Sequence, residues 1–213
     1  MERPPIKSLL SLICDGRNKL VTYDSHQTAI IDEGASIGSR TKIWHNAHIC
    51  GGAVVGNDCT IGQNVFIGNN VRIGNNVKIQ NNVSVFDNVF IEDNVFCGPS
   101  MVFTNVYNPR SYITRKEEYR DTIIREGATL GANCTVICGT EIGKYSFIGA
   151  ATLVRKDVIP FAFIVGVPGY HKGWMSKFGE QLELPLTGNG VVECPYTKQI
   201  YTLVDGMVTC QEA

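Results

Sequence analysis

One hydrophobic residue returns at every sixth position between Ile31 and Phe103 without a slip: Ile31, Ile37, Ile43, Ile49, Val55, Ile61, Ile67, Ile73, Ile79, Val85, Ile91, Cys97 and Phe103. Four residues after most of these stands a second small or branched residue: Ala35, Thr41, Ala47, Ala53, Cys59, Val65, Val71, Val77, Val83, Val89 and Val95. A helix would need apolar spacings of three and four. A steady period of six is the mark of a β-solenoid.

One unit shows the geometry. In Val65-Phe66-Ile67-Gly68-Asn69-Asn70, residues two apart share a strand face, so Val65 and Ile67 point inward and Phe66 outward. Gly and Asn tolerate the positive φ that a tight corner needs. Three such units close a triangular coil of eighteen residues. Each coil stacks on the last by parallel pairing, and the core exists only through that stacking. Taking every eighteenth position sorts the outward residues into three faces: Ile30, His48, Phe66, Ser84, Val102; then Ser36, Val54, Arg72, Phe90; then Lys42, Thr60, Lys78, Phe96. The first is the candidate association face, because a contiguous apolar patch on a wet solenoid marks a contact surface. A three-sided coil suits a cyclic homotrimer.

The 213 residues fit one elongated domain with end pieces. Residues 1–24 lack the rhythm and read as a cap over the open first coil, whose strand edges would otherwise be exposed. Residues 25–158 carry the repeats. Their register breaks after Phe103 and resumes at Ile124, Leu130, Val136, Ile142, Ile148 and Val154, which makes 104–123 an excursion. Residues 159–213 read as an exit segment and a β-like tail with a hairpin signal at Asp205-Gly206. A formal net charge of −1 gives no sign of a nucleic-acid surface. The apolar run 9–14 is too short for a membrane span and lacks a convincing cleavage region. The expectation is a soluble, cytoplasmic protein without membrane partners. Of eight cysteines, Cys59, Cys97 and Cys134 fall on inward positions, and Cys14, Cys50, Cys138, Cys194 and Cys210 show no C-x-x-C spacing. Reduced structural thiols are expected, and no metal.

A long loop inside a regular scaffold is more often functional than decorative. The 104–123 segment carries Arg110, Arg115, Lys116 and Arg120 with Tyr107, Tyr112 and Tyr119, a set suited to an anionic ligand with a flat ring.

The hexads, the internal loop and the exit segment Phe163-Ile-Val-Gly-Val-Pro resemble the hexapeptide-repeat acyltransferases. That resemblance implies an all-β, left-handed parallel β-helix and acyl-CoA chemistry, the handedness being an exception to the usual crossover rule. The runs Ile43-Trp44-His45, Gly62–Gly68, Lys78–Val85 and Cys97–Arg110 are similar to N-acetyltransferases of the 3-amino group of UDP-2-acetamido-3-amino-2,3-dideoxyglucuronate, which serve bacterial surface-polysaccharide (O-antigen) pathways. The similarity covers about residues 26–185. It implies acetyl-CoA as co-substrate, lying between neighbouring β-helices, and a nucleotide amino sugar near the loop.

Carried onto this chain, the resemblance makes Asn105 the residue that orients the acceptor amine. Alignment supplies much of the acceleration, since a neutral sugar amine is already nucleophilic. The register sets Asp87 one coil below Asn105 as a second catalytic candidate, with a corner-capping role as the plainer reading. His45, at the start of a corner, is the leading histidine base, ahead of the outward-facing His48. Gln80, Asn81, Tyr107, Asn108 and Arg110 are the expected sugar-nucleotide residues, with the Arg110 fork matched to a carboxylate or diphosphate. For CoA the resemblance points to Gly149, Ala150, Val154, Arg155, Ile164, Gly166, Pro168 and Lys172. Gly169 and Tyr170 follow the Val-Pro where relatives carry Ala and a basic residue, so the phosphate partner stays open.

Three readings compete. An acyltransferase for a neutral 3- or 4-amino deoxysugar nucleotide would use the same scaffold. A β-helical carbonic anhydrase needs three zinc-binding histidines, and the four here, at 26, 45, 48 and 171, include only one close pair. A bare scaffold would not need the loop.

Overall fold

The computed structural model describes residues 13–14, 20–21 and 23–211. Most of the expected 1–24 cap therefore lies outside the described residues, apart from a short antiparallel pair, Ile13–Cys14 with Leu20–Val21.

From Asp24 the chain winds into a parallel β-helix of about eight coils with three sheets. The first sheet stacks Ile30–Ile31, His48–Ile49, Phe66–Ile67, Ser84–Val85, Val102–Phe103, Thr135–Val136 and Leu153–Val154. The second runs from Ser36–Ile37 to Glu141–Ile142, and the third from Asp24–Ser25 to Ala162–Val165 before two antiparallel strands extend it. The stacking is in the eighteen-residue register: Phe66 pairs with His48 below and Ser84 above, and Lys78 with Thr60 and Phe96.

Both repeat series are inside. Ile49, Ile61, Ile67, Ile79 and Val85 are wholly buried, as are Ala47, Ala53, Val71, Val77 and Val83. The corners use left-handed backbone at Asn46, Asp58, Asn64, Asn76, Asn82, Asn88 and Asn94. Asn and Asp reach that region at least cost among residues with a side chain. Their neighbours also stitch the coils together. Asn57 Oδ1 accepts from the Ser39 amide, Asn75 Oδ1 from the Asn57 amide, and Asp93 Oδ1 from the Asn75 amide.

Two boundaries differ from the sequence expectation. Thr122–Ile124 forms a strand on Val89–Ile91, so the excursion ends at Asp121 rather than at residue 123. The exit segment does not leave the solenoid at Val158. Val158 bridges Ile142 in parallel, and Ala162–Val165 pairs in parallel with Phe147–Ile148. The inward series continues as Val154, Val158, Ile164, with one step of four where Arg155-Lys-Asp makes a tighter corner, and a strict six-residue count loses it there.

The tail closes the last coil. Tyr170–Met175 folds back antiparallel on Ala162–Val165, and Trp174 is buried with its Nε1 donating to the Pro185 carbonyl at 2.9 Å. A three-stranded antiparallel sheet, Gly190–Glu193, Ile200–Val204 and Met207–Gln211, brings Tyr201 edge-on to Phe161 at 5.7 Å. Asp205 and Gly206, both at positive φ, make the expected hairpin turn. Cys50, Cys59, Cys97, Cys134, Cys138, Cys194 and Cys210 are free thiols. Burial pushes Cys97 far up and Cys134 up to about 12, as befits thiols packed as small hydrophobes.

Candidate functional site

The residues singled out in the sequence fall at three places. The first is the neck of the loop, at the corner between the first and second sheets. Thr104 Oγ1 accepts from the Cys138 amide at 2.9 Å, and the Asn105 carbonyl accepts from the Arg120 amide at 3.1 Å, so Asn105 is pinned where the loop leaves and returns. Asn88 donates through Nδ2 to Asp121 at 2.7 Å and closes the same corner from below. Beyond the neck, Tyr107 lies under the Arg120 guanidinium, 4.8 Å from ring centroid to Cζ. Asn108 and Arg110 are exposed, and the Arg110 guanidinium meets only its own Pro109 carbonyl among the described residues. Asp87 does sit one coil below Asn105. Its Oδ1, however, accepts from the Asn70 amide at 3.1 Å, the corner-capping role that Asx residues favour.

The second place is the corner between the third and first sheets. Here the register stacks His45, Gln63 and Asn81, one per coil and all exposed. Asn64 donates its amide to the His45 carbonyl, Asn82 donates to the Gln63 carbonyl, and Asn81 Oδ1 accepts from the Gln63 amide at 2.9 Å. The Asn81 oxygen is thus committed downward, and its Nδ2 is the group left for a ligand. Gln80, half-buried, ends the strand beneath. Gly62 permits the close stacking. A Cβ there would stand 2.7 Å from the Gln80 carbonyl carbon and 2.8 Å from Asn81 Oδ1. The His45 ring stacks on His26 with centroids 3.5 Å apart, and beside it Asp24, Lys42 and Trp44 line a cavity of about 160 Å³.

His45 therefore shares a corner with Asn81, whereas Asp87 and Asn105 belong to another corner of the triangle. Sequence reading missed Gln63, although counting eighteen from His45 or back from Asn81 reaches it.

The third place is the C-terminal end of the solenoid. A cavity of about 350 Å³ opens between the Leu153–Val158 corner and the Pro168–His171 return. Arg155 and Lys156 line it and are exposed, Lys172 is exposed one residue beyond His171, and Lys156 is a cation the sequence reading did not single out. Val154 and Ile164 occupy inward, buried register positions and form the core side of the cavity wall. Gly149 donates its amide to the Ile164 carbonyl at 2.8 Å and is packed against Val165, leaving Ala150 as the exposed corner residue. Gly166, at φ +103°, and Pro168, after a cis bond, turn the chain back. His171 Nε2 contacts the Gly173 carbonyl at 2.8 Å, and burial holds this imidazole below its ordinary value, favouring the neutral ring.

Comparison with known proteins bears on the repeats directly. Residues 34–69 match the model described as bacterial transferase hexapeptide (six repeats). Residues 52–87 and 122–154 match the hexapeptide repeat of succinyl-transferase, and the gap between these matches contains the loop. The dTDP-3-amino-3,6-dideoxy-α-D-galactopyranose 3-N-acetyltransferase of Aneurinibacillus thermoaerophilus is 38% identical over 93 residues, 44% of this chain and 46% of that protein. A serine acetyltransferase of Buchnera aphidicola is 39% identical over 49 residues, 23% of this chain and 19% of that protein. The chain thus spans less than half the length of the curated relatives it matches. Among solved structures, a galactoside acetyltransferase in complex with coenzyme A is 26% identical with a TM-score of 0.51, over 58% of this chain and 64% of that one. A hexapeptide-repeat acetyltransferase of Vibrio cholerae, complexed with acetyl-coenzyme A, is similar in fold at 23% identity and a TM-score of 0.51, over 58% of this chain and 70% of that one. The repeats make the coil a left-handed β-helix. The chain carries hexapeptide repeats like those of bacterial transferases at residues 34–87 and 122–154.

Proposed function

We propose that this protein is an acetyl-CoA-dependent N-acetyltransferase that acylates the amino group of a nucleotide-linked sugar. The observation that carries the reading is the exposed His45–Gln63–Asn81 column on a hexapeptide solenoid whose one large excursion presents Asn105 and Arg110. The curated relative named for a 3-amino sugar nucleotide supports the substrate class. The solved relative holding coenzyme A supports the donor.

In a homotrimer of three-sided coils, the His45 corner of one protomer faces the loop of the next, and the site is completed between them. Asn105 then orients the acceptor amine, and His45 takes the proton as the amine attacks the thioester carbonyl. The C–N bond forms, the C–S bond breaks, and the proton passes from His45 to the departing CoA thiolate. The Asn81 Nδ2 donor and corner amides stabilise the tetrahedral oxyanion. Arg155, Lys156 and Lys172 meet the CoA phosphates, and Tyr107 and Arg110 hold the sugar nucleotide. Asp87 keeps its corner in shape. The substrate we favour is the UDP-linked 2-acetamido-3-amino-2,3-dideoxyglucuronate of surface-polysaccharide synthesis, handled in the cytoplasm, because the exposed Arg110 fork suits a sugar carboxylate.

Two experiments test this. CoA release with the uronate, its neutral 3-amino counterpart and a 4-amino sugar should favour the uronate; preference for a neutral sugar would keep the transferase and remove the carboxylate assignment. His45→Ala and Asn105→Ala should each lack turnover, while co-expression of the two should restore activity at about a quarter of the sites, those pairing intact residues from neighbouring protomers. An inactive mixture with intact trimers would sink the shared site.

A further inference from the structure

We infer that Asp32, His48 and Cys50 form a binding site for one divalent transition-metal ion, with zinc the best match. Their donor atoms lie within 4.8 Å of one another. Asp32 and Cys50 occupy the same corner on successive coils, and His48 stands on the strand between them. In sequence the three match no ligand spacing. Stacking alone brings them together. They share the corner that later carries Asn105 but precede it by three to four coils, and this inference does not rest on the proposed reaction.

The geometry already converges. His48 Nε2 stands 3.3 and 3.2 Å from the two Asp32 carboxylate oxygens. The backbone beneath is held by ladder bonds, with the Asp32 amide donating to Ile49 and the Cys50 amide to Ile67, each at 2.9 Å. Phe66 braces the His48 ring edge-on at 5.6 Å. First ligands on such a rigid frame need little reorganisation. Tetrahedral ligation sets donors about 3.5 Å apart, so side-chain rotations of about an ångström close the set.

The donor chemistry selects the ion. One carboxylate, one imidazole and one thiolate match zinc with three protein ligands and an open fourth position, whereas calcium and magnesium favour all-oxygen sets. A carboxylate and a thiolate neutralise the dication while the imidazole stays neutral. A bound dication takes the thiol as thiolate and displaces its proton. Asp32 and His48 side chains are 44% and 40% exposed, which leaves the fourth position to water. As a bare surface ion pair the same two residues would contribute little.

The test uses the full chain, stripped with chelator and titrated with Co²⁺ as a spectroscopic substitute for zinc. Expected is uptake of one ion with a thiolate-to-cobalt charge-transfer band, release of a proton, and displacement by Zn²⁺. Cys50→Ser should abolish the band, His48→Gln and Asp32→Asn should weaken binding by at least about tenfold, and Cys138→Ser should leave it unchanged. Circular dichroism checks that each variant is folded. Absence of the band in the unaltered chain, or its survival in Cys50→Ser, overturns the site.

Discussion

Gly62→Ala would connect the stacking of the coils to the chemistry of the His45 corner. The new Cβ would stand 2.7 Å from the Gln80 carbonyl carbon and 2.8 Å from both the Asn81 amide nitrogen and its Oδ1. Backbone cannot yield as a flexible side chain does, so the two coils must part by about 0.7 Å to reach ordinary contact. The ladder bond from the Gly62 amide to the Ile79 carbonyl, 2.8 Å long, would stretch to the limit of a hydrogen bond. Its loss costs about 1 kcal/mol, and overpacking adds about 1–3 kcal/mol. Denaturant unfolding at fixed protomer concentration should therefore show a loss of about 2–4 kcal/mol. Gln63 and Asn81 would separate by the same displacement, and misplacement on that scale lowers turnover by about a hundredfold. Gln63→Ala is the control, because it removes a side chain and keeps the backbone ladder; turnover should fall with stability unchanged. A Gly62→Ala protein with the parental unfolding midpoint and parental turnover would refute both the tight corner and the site built on it.

Ile79→Ala, at a wholly buried position between Ile61 and Cys97, should cost about 2–5 kcal/mol, whereas Ile31→Ala in the partly exposed early coil should cost clearly less; equal losses by chemical denaturation would contradict a core that depends on neighbouring coils. Replacing Arg155 and Lys156 together with alanine should weaken CoA binding by about tenfold and flatten its salt dependence, measured by calorimetry; unchanged affinity would move the phosphate site elsewhere. Arg125 donates to Glu141 and to Glu92 at 2.7 Å each, and this holds the Glu141 carboxyl below its ordinary range. Glu92 is also lowered, although burial pushes it the other way. Depressed carboxylates stabilise the fold above their unfolded value of about 4.3 and lose that contribution as pH falls through the folded values. Arg125→Met should thus make the acid limb of the stability curve shallower; an equally steep limb would show that this pair is uncoupled from folding.

The residue pattern by itself determined the architecture. A six-residue period leaves one inward face per strand and one corner per unit, and Asn, Asp and Gly at those corners permit the positive φ that closes the triangle. The same count placed Asp87 under Asn105 and located the loop to within two residues. Where the count changed, the reading failed. The four-residue step from Val154 to Val158 hid the last parallel strand, because periodicity carries no information once the period shifts. Tertiary structure decided which side chains near a shared corner come within reach of one another. His45, Gln63 and Asn81 are eighteen residues apart and meet because the coils stack, as do Asp32, His48 and Cys50. His45 and Asn105 both looked catalytic in sequence, yet they stand at different corners of the triangle. The fold follows from local spacing, which a chain displays along its length; the site follows from side-chain direction across stacked coils, which exists only once the coils have closed.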